Sequence, residues 1–362
     1  MRTAAHRTRD HLPPFAARVV AWHARYGRHD LPWQNTRDPY RIWLSEVMLQ
    51  QTQVSAVIPY YERFVAALPD VAALAGAPLD TVFALWSGLG YYRRARHLHA
   101  AANAIIQKHG GVFPRDVGEI AALPGIGRST AAAIAAFAYG TRAAILDGNV
   151  KRVFARHRGI EGYPGEAKIE QRLWSIAESE LPDANMPAYT QAMMDLGATV
   201  CVRTRPRCDA CPVAEDCTAR RERCVDRIPA PRPLRALPER SARMLMIEAG
   251  DLLLFERRAE SGVWAGLWSL PEVGIDDDVS VACVSRVGAA PLSCAALPPI
   301  EHGFTHFRLT IHPVRIGVAA APAALASSDR AWWTVEHALR QGVPAPVRRL
   351  LEALRSKEAE LF

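Results

Sequence analysis

The chain has 362 residues, of which 49% are hydrophobic and 22% are charged, so it is long enough to bury two separate cores. It contains no apolar run near the roughly 20 residues that a membrane-spanning helix needs, which excludes an integral membrane protein and predicts a soluble one. The first residues, MRTAAHRTRDHLPPF, are basic and lack the apolar segment of a secretory signal, although an arginine-rich start also resembles an organelle transit peptide. A net charge of +7 favours a polyanionic partner without proving one.

The first part of the chain, from residue 15 to about residue 225, is predicted to be mostly helical. Apolar residues recur there at the spacing of one helix face. The clearest segments are FAARVVAWHARY, RIWLSEVMLQQTQVSAVIPYYERFVAAL, TVFALWSGL and RARHLHAAANAIIQKH. Short turns containing Pro or Gly, such as GLGYY and LPGIG, separate these segments.

A proline-rich stretch, DRIPAPRPLRALPERSAR, interrupts this pattern and predicts a linker at residues 229–242. Beyond it, RMLMIE and LLLFERR flank a short turn and are predicted as two strands. FRLTIHPVRIGV is predicted as another strand pair, and VRRLLEALRSKEAELF as an amphipathic helix. We therefore expect a helical domain at 1–228 and an α+β domain with antiparallel strands at 243–362.

Four of the seven cysteines have the spacing C-x6-C-x2-C-x5-C, from Cys201 through Cys208 and Cys211 to Cys217. An odd total without a signal peptide argues against a disulfide framework. Clustered thiolates in a loop predict a structural metal centre; the spacing favours an iron–sulfur cluster but leaves zinc open. Cys224 lies outside the pattern and is interpreted as a spare thiol.

Seven arginines surround these cysteines. They form either an ordinary solvated basic face or a surface for DNA phosphates, whose neutralisation releases counterions. They are Arg203, Arg205, Arg207, Arg220, Arg221, Arg223 and Arg227.

The segment LPGIGRSTAAAI at residues 123–134 brings two glycines to the start of a helix. It has neither the lysine of a phosphate-binding P-loop nor the third glycine of a dinucleotide fingerprint. Gly125 and Gly127 allow close approach of the backbone, and the N–H groups of Gly127, Arg128 and Ser129 face an anion along the helix dipole. A DNA phosphate suits this geometry, and a plain interhelical turn is the alternative.

These motifs together resemble the endonuclease III superfamily of DNA glycosylases, whose helix–hairpin–helix and iron–sulfur spacing they match. Within it, the segments LPWQ, WLSEVMLQQTQV, GLGYYRRARHL, LDGNVKRV and QAMMDLGATVC are similar to the MutY-type adenine DNA glycosylases. The resemblance implies a six-helix part at about 29–134, a part carrying a structural [4Fe–4S] cluster at about 1–28 plus 135–228, and a Nudix-like C-terminal domain. It implies removal of adenine mispaired with 8-oxoguanine or guanine in double-stranded DNA.

Two carboxylates of different pKa suit cleavage of an N-glycosidic bond, because the base must be protonated and the sugar cation stabilised. Glu46 is flanked by Trp43, Leu44, Val47, Met48 and Leu49, so burial would raise its pKa; an exposed helix edge is the alternative. Asp147 precedes Gly148 at a helix N-cap position, which would hold it ionised with a lowered pKa. The resemblance implies that Glu46 protonates adenine at N7, that Asp147 stabilises or attacks the sugar, and that Asn149 supports Asp147 by hydrogen bonding.

Ser129 stands where relatives that also cut the DNA backbone carry a lysine. A serine hydroxyl cannot form a Schiff base, so a monofunctional glycosylase that uses water is expected. The alternatives are a bifunctional endonuclease III-like glycosylase and lyase, and a noncatalytic lesion-binding protein on the same fold.

The resemblance also implies which residues handle the DNA and the bases. It assigns DNA contacts to Gln51 and Thr52, and a wedge in the base stack to Gln51, Leu89 and Tyr91. For one of Tyr91 and Tyr92, core packing is the expected alternative. Trp33 and Gln191 match the adenine pocket, whereas His29 departs from the arginine or lysine that relatives often have at its position.

In the second domain, Phe304, Thr305 and His306 resemble the loop that contacts 8-oxoguanine, with threonine in place of the usual serine; a simple strand start is the alternative. The acids of GIDDDVS do not form the metal-binding box of a Nudix hydrolase, so pyrophosphatase activity is not expected. A monomer is expected, located in the cytoplasm and on the nucleoid if the source is bacterial.

Overall fold

The computed structural model describes residues 12–233, 236–321 and 329–359, with side chains to residue 356. Most of the basic N-terminal stretch, residues 234 and 235 of the predicted linker, and the last three residues of the predicted C-terminal helix lie outside these ranges. The chain forms two compact units, residues 1–75 with 100–234 and residues 76–99 with 235–362. Among the described helices, none is both long and apolar enough to cross a bilayer.

The first unit is helical. Its helices are α1 (Phe15–Tyr26), α2 (Pro39–Leu49), α3 (Val54–Ala67), α4 (Val71–Gly76), α7 (Val117–Ala121), α8 (Arg128–Tyr139), α9 (Gly148–Arg158), α10 (Ala167–Ser179), α11 (Met186–Asp195) and α12 (Thr218–Arg221). A π-helical turn, Leu196–Val200, continues α11, and a 3₁₀ turn, Cys208–Ala210, follows in the cysteine-rich loop. α6 (Arg93–His109) begins in the second unit and ends in the first.

The alanine-rich helix α8 organises the core of the first unit. Ala131, Ala132, Ala135 and Ala136 are all fully or almost fully buried. Because these side chains end at Cβ, neighbouring helices can approach α8 closely, and both α2 and α11 pack against it. This packing brings side chains of α2 and α11 to one place in the unit.

The long helical segment predicted across QQTQ is wrong as a single helix. α2 ends at Leu49 and α3 begins at Val54. Gln51 between them has φ of 58°, in the left-handed region, where a right-handed helix cannot continue. The apolar periodicity carries across this turn, so the pattern alone did not reveal the break.

The second unit is built on an eight-stranded mixed sheet. The strands are β1 (Glu239–Ala249), β2 (Leu252–Arg257), β3 (Trp268–Ser269), β4 (Glu272–Val273), β5 (Ser293–Ala296), β6 (Ile300–Gly303), β7 (Arg308–Gly317) and β8 (Arg330–Trp333). Its helices are α5 (Leu79–Trp86), α13 (Val279–Val287), α14 (Val335–Leu339) and α15 (Ala345–Ala359). The strand order is β3-β2-β1-β7-β5, with β4 beside β1, β6 beside β7 and β8 beside β2.

Strand β1 is buried on both faces of the sheet. Met244 and Met246 enter one apolar core, and Leu245 and Ile247 enter the other. Alternate side chains point to opposite faces, so burial on both sides explains the uninterrupted apolar run MLMI.

The strand pair predicted for FRLTIHPVRIGV is a single strand, β7, and the expectation of only antiparallel strands is also wrong, because β7 runs parallel to β1. The sequence predicted two strands because Pro313 lies within this segment, and proline usually interrupts a central strand. On one side of β7, however, β6 pairs with 308–311 and β5 with 314–317. Pro313 lies between the residues that pair with β6 and those that pair with β5, so no N–H donor is needed from it on this side of β7.

Candidate active site

A cavity of about 460 Å³ opens in the first unit and collects three of the predicted site residues. Glu46 comes from α2, Gln191 from α11, and Trp33 from the loop before α2. The Trp33 ring stands edge-on to Tyr61, with ring centroids 5.3 Å apart. The cavity therefore has an aromatic wall, an amide and a carboxyl group in one place.

Glu46 has the electrostatics of a general acid. Its helix neighbours Trp43, Leu44, Val47 and Met48 are buried. Burial, together with the smaller effect of the charge on Asp147, raises the pKa of Glu46 from 4.5 to about 8. Glu46 is thus protonated near neutral pH, as the apolar pattern predicted.

Asp147 is the N-cap of α9, which confirms the predicted cap. Its Oδ1 accepts a hydrogen bond from the N–H of Val150 at 2.8 Å. The predicted lowering of its pKa is wrong: burial raises it, and the N–H groups of Val150 and Asn149 and nearby Arg152 oppose that rise without cancelling it. Only Asp147 of the two carboxyls receives such donors, so in the interacting pair Asp147 carries the charge and Glu46 the proton.

Asn149 supports Asp147 through its backbone N–H. Its side-chain oxygen instead accepts from Arg152 Nη2 at 2.8 Å. Arg152 also donates to the carbonyl oxygens of Gly197 and Cys201, at 2.6 and 2.7 Å. A Cβ on Gly197 would lie 2.6 Å from the Asn149 Cβ, so only glycine fits at this contact. The N-cap turn is thereby attached to the start of the cysteine-rich loop.

Ser129 contacts the segment that carries Asp147. Its Oγ accepts from the N–H of Leu146 at 2.9 Å. Gly127 is the N-cap of α8, no side chain caps this end of the helix, and Gly125 has φ of 78°. The Arg128 guanidinium pairs with Glu178, so the anion-binding groups that Arg128 offers at this hairpin are on its backbone.

A buried carboxylate that sequence analysis missed orients the cavity wall. Asp195 has no exposed surface and accepts from Gln191 Nε2 at 2.9 Å. Arg28 donates to it through its backbone N–H and its guanidinium, at 2.6 to 2.9 Å. Holding the amide nitrogen leaves the Gln191 oxygen as the group available to the cavity. The sequence feature that could have predicted this contact is the four-residue spacing of Gln191 and Asp195, which places both on one helix face.

The residues predicted to enter the DNA lie on two turns. Gln51 and Thr52 are in the left-handed turn between α2 and α3, where Gln51 is exposed. Leu89 and Tyr91 are in the turn before α6. Tyr91 is 53% exposed, whereas Leu89 and Tyr92 are buried.

Phe304, Thr305 and His306 form the tip of the β6–β7 hairpin in the second unit. The Phe304 N–H donates to the Phe307 carbonyl at 2.9 Å, which closes the turn. The Phe304 ring stacks on Phe307, with centroids 4.4 Å apart, while Thr305 and His306 are exposed. The hairpin thus displays a hydroxyl and an imidazole on an aromatic base.

The four predicted metal ligands line one small cavity near Arg156. Burial and the neighbouring sulfurs raise the pKa of three of these thiols, that of Cys211 to about 12. Across the described residues, no group of three or more Cys, His, Asp or Glu side chains is arranged to hold a single metal ion. The four thiols share one space, and thiolates are the ligands of iron–sulfur clusters, so these residues fit such a group. Cys224 is buried in the helical core.

Both parts of the chain match known families. Residues 44–179 match the HhH-GPD superfamily base excision DNA repair protein, and residues 242–353 match the NUDIX domain. The adenine DNA glycosylase of Buchnera aphidicola subsp. Acyrthosiphon pisum is 34% identical, over 93% of this chain and 97% of its own. That of Mus musculus is 32% identical, over 93% of this chain and 77% of its own. A solved thermostable thymine-DNA glycosylase is similar with a TM-score of 0.52 and 28% identity, over 57% of this chain and 95% of that chain.

Proposed function

Because the chain belongs to the adenine DNA glycosylase family and is a base excision repair glycosylase, we propose that it hydrolyses the N-glycosidic bond of adenine mispaired with 8-oxoguanine or guanine. The observation that supports this proposal is the interacting carboxyl pair. Glu46 lines the cavity with its pKa raised to about 8, in part by the charge of Asp147, and Asp147 accepts the N-cap hydrogen bond of α9. Its proposed partner is duplex DNA, which it binds as a monomer.

In this mechanism, the target adenine leaves the base stack and enters the cavity. Trp33 stacks on the base, and the Gln191 oxygen, oriented by Asp195, accepts from its exocyclic amine. Glu46 donates its proton to N7, which turns adenine into a neutral leaving group as the C1′–N9 bond breaks. The imidazole of His29 also lines the cavity, where it adds a further polar group beside the base.

Asp147 stabilises the positive charge that develops on the sugar, or attacks C1′, and water completes the hydrolysis. Since Ser129 cannot form an imine, we propose a monofunctional enzyme that leaves an intact abasic strand. The amides at the start of α8 hold a phosphate of that strand, and Gln51, Thr52, Leu89 and Tyr91 contact the DNA around the vacated position.

The β6–β7 hairpin provides the proposed contact with the base opposite adenine. Thr305 and His306 are exposed at its tip, and both can form hydrogen bonds. Phe304 packs against the rings of Trp264 and Phe307, which supports the tip. The pairing partner 8-oxoguanine differs from guanine at C8 and N7, which a hydroxyl and an imidazole are able to distinguish.

Cys201, Cys208, Cys211 and Cys217 are the proposed ligands of a structural [4Fe–4S] cluster. Without a metal, burial and the mutual repulsion of the sulfurs oppose ionisation, and iron would provide the compensating positive charge. When bound, the cluster supplies a rigid cross-link for the loop between Cys201 and Cys217. Ultraviolet–visible absorption of the purified protein, with iron and zinc analysis, tests the metal's identity.

The activity is tested with labelled duplexes holding A opposite 8-oxoguanine, A opposite G, A opposite T, T opposite G, or oxidised thymine. We expect strand breaks for the first two only, and only after alkali treatment. Breaks without alkali, or a borohydride-trapped adduct at the α8 hairpin, would instead identify a glycosylase and lyase. Cleavage confined to T opposite G or to oxidised thymine would contradict the proposed substrate, and binding without cleavage would identify a noncatalytic lesion-binding protein.

A further inference from the structure

The turn that carries Leu89 and Tyr91 belongs to the second unit, together with the C-terminal residues. Gly88, Gly90 and Tyr91 all have positive φ, which sets an unusual backbone path. Two side chains hold this path, because the Gly90 carbonyl accepts from Trp86 Nε1 at 3.1 Å and from Arg94 Nη2 at 3.2 Å. Hydrogen bonds from residues next to the turn therefore fix its backbone conformation.

Both ends of the turn are also attached to residues far along the chain. Arg348, on α15, donates through Nη2 to Ser87 Oγ and to the Leu339 carbonyl, each at 2.7 Å. The Tyr92 hydroxyl donates to the Val343 carbonyl at 3.0 Å, and it lies 3.1 Å from Ser87 Oγ. Ser87 and Tyr92 flank the turn, so α15 and the loop before it fix the position of both ends.

The helix before the turn, α5, also contacts residues far along the chain. Arg257, on β2, forms a bidentate pair with Asp80 in the first turn of α5, at 2.6 and 2.8 Å. This contact is the largest cause of the lowered pKa of Asp80. A Cβ on Gly342 would lie 2.5 Å from the Phe83 Cβ and 3.2 Å from its backbone carbonyl carbon, so the loop before α15 meets α5 at backbone distance.

We propose that Arg348 is a positioning residue for base extrusion: it holds Ser87 so that Leu89 and Tyr91 enter the base stack at the mispair. The inference rests on the proposed glycosylase function and deepens it, because it couples the unit that carries the Phe304–His306 hairpin to the extrusion step. The turn and the hairpin share one unit. Placement of the wedge thus depends on a side chain that touches neither the adenine nor the reacting bond.

The test compares Arg348→Met, Ser87→Ala and the double variant with wild-type protein. Arg355→Met is the matched control, because Arg355 is on the same helix and is exposed. Two quantities are measured on duplexes with 8-oxoguanine opposite the target. One is the single-turnover excision rate of adenine. The other is the fluorescence increase of 2-aminopurine at the target position, which reports unstacking. Thermal unfolding of each variant is recorded alongside.

We expect Arg348→Met and Ser87→Ala each to lower the excision rate about 10- to 100-fold, as misplacement of a positioning group does, and to reduce the fluorescence increase. The double variant should be no worse than the poorer single variant, and Arg348→Lys should recover part of the loss by donating one hydrogen bond. Excision rates and fluorescence equal to those of Arg355→Met, whatever the change in unfolding temperature, would overturn the inference. Wild-type protein that leaves the adenine duplex intact would instead overturn the proposed function.

Discussion

Glu46 and Asp147 show how two side chains of the same chemistry take opposite roles. Both are buried, and burial raises the pKa of each. The N–H groups at the start of α9 and the cationic Arg152 stabilise negative charge only on Asp147. Helix capping thus favours the charge on Asp147. Apolar packing along α2 favours the proton on Glu46, which makes Glu46 available as an acid near neutral pH.

The pH dependence of excision follows from this arrangement. In the proposed mechanism Glu46 acts in its protonated form, and its pKa is raised to about 8. We expect kcat/KM to fall roughly tenfold per pH unit above about pH 8, as Glu46 loses its proton. Below pH 8 it should form a plateau, which ends in acid where Asp147 becomes protonated. The Glu46→Gln variant should bind the mispaired duplex but not excise adenine. A kcat/KM that rises between pH 7 and 9 would contradict the role of Glu46 as the acid.

The same residue should reduce the stability of the fold. In the unfolded chain Glu46 ionises above pH 4.5, whereas in the folded protein it keeps its proton to about pH 8. The folded state therefore binds more protons in this window, and stability falls as pH rises through it. We expect Glu46→Gln to raise the free energy of unfolding by on the order of 2–4 kcal/mol at pH 8 and by almost nothing at pH 4. Urea unfolding at both pH values measures this, with the exposed Glu62→Gln as control. An equal gain at the two pH values would show that another cause is at work.

At the scale of elements, the start of α8 supports the turn before α9. Ser129→Ala leaves the N–H of Leu146, a buried residue, without its acceptor, which costs about 1–3 kcal/mol. We expect a lower unfolding temperature and slower excision, because Asp147 follows Leu146 directly. Ser129→Thr keeps the hydroxyl and should retain most activity. Thermal unfolding and single-turnover kinetics check this, and excision by Ser129→Ala at the wild-type rate would rule out a positioning role for the hydroxyl.

Helix α9 also supports the cysteine-rich loop. Arg156 is 3% exposed and donates to the carbonyl oxygens of Ile228, Val202 and Arg203. Replacing it with methionine leaves these acceptors unpaired and should loosen the loop that holds the cysteines. We expect Arg156→Met to retain less iron per protein than wild type, measured by elemental analysis after gel filtration. Arg205→Met, on the exposed part of the same loop, serves as control and should retain wild-type iron. Equal iron in both variants would contradict this role of Arg156.

Elements with strong local signals were predictable from the sequence. Asp147 before Gly148 gave the cap of α9, and Gly125 and Gly127 gave the hairpin before α8. Features decided by distant partners were not predictable. Nothing near Asp195 in the sequence indicates that Arg28 binds it, and the two-residue period of β7 does not specify a parallel neighbour. The left-handed backbone conformation of Gln51 was likewise not predictable, because the apolar pattern of the two flanking helices continues across this residue.

At the scale of the whole molecule, two units of different architecture hold separate parts of the proposed chemistry. The helical unit contains the cavity with Glu46, Trp33 and Gln191. The sheet-based unit contains the β6–β7 hairpin and also segment 76–99, which sequence analysis assigned to the helical domain. The helical periodicity of that segment led to its assignment to the helical domain. Its hydrogen bonds with Arg257 and Arg348 could not be predicted, because these residues lie more than 170 positions further along the chain.

The proposed chemistry requires the target adenine nucleotide to lie between the carboxyl groups of Glu46 and Asp147. The most direct measurement is a crystal structure of the Glu46→Gln variant bound to a duplex with adenine opposite 8-oxoguanine. We predict that the adenine is extruded into the cavity beside Trp33, with N7 facing residue 46 and the anomeric carbon facing Asp147. An adenine still stacked in the duplex, or one whose sugar lies away from Asp147, would contradict the account.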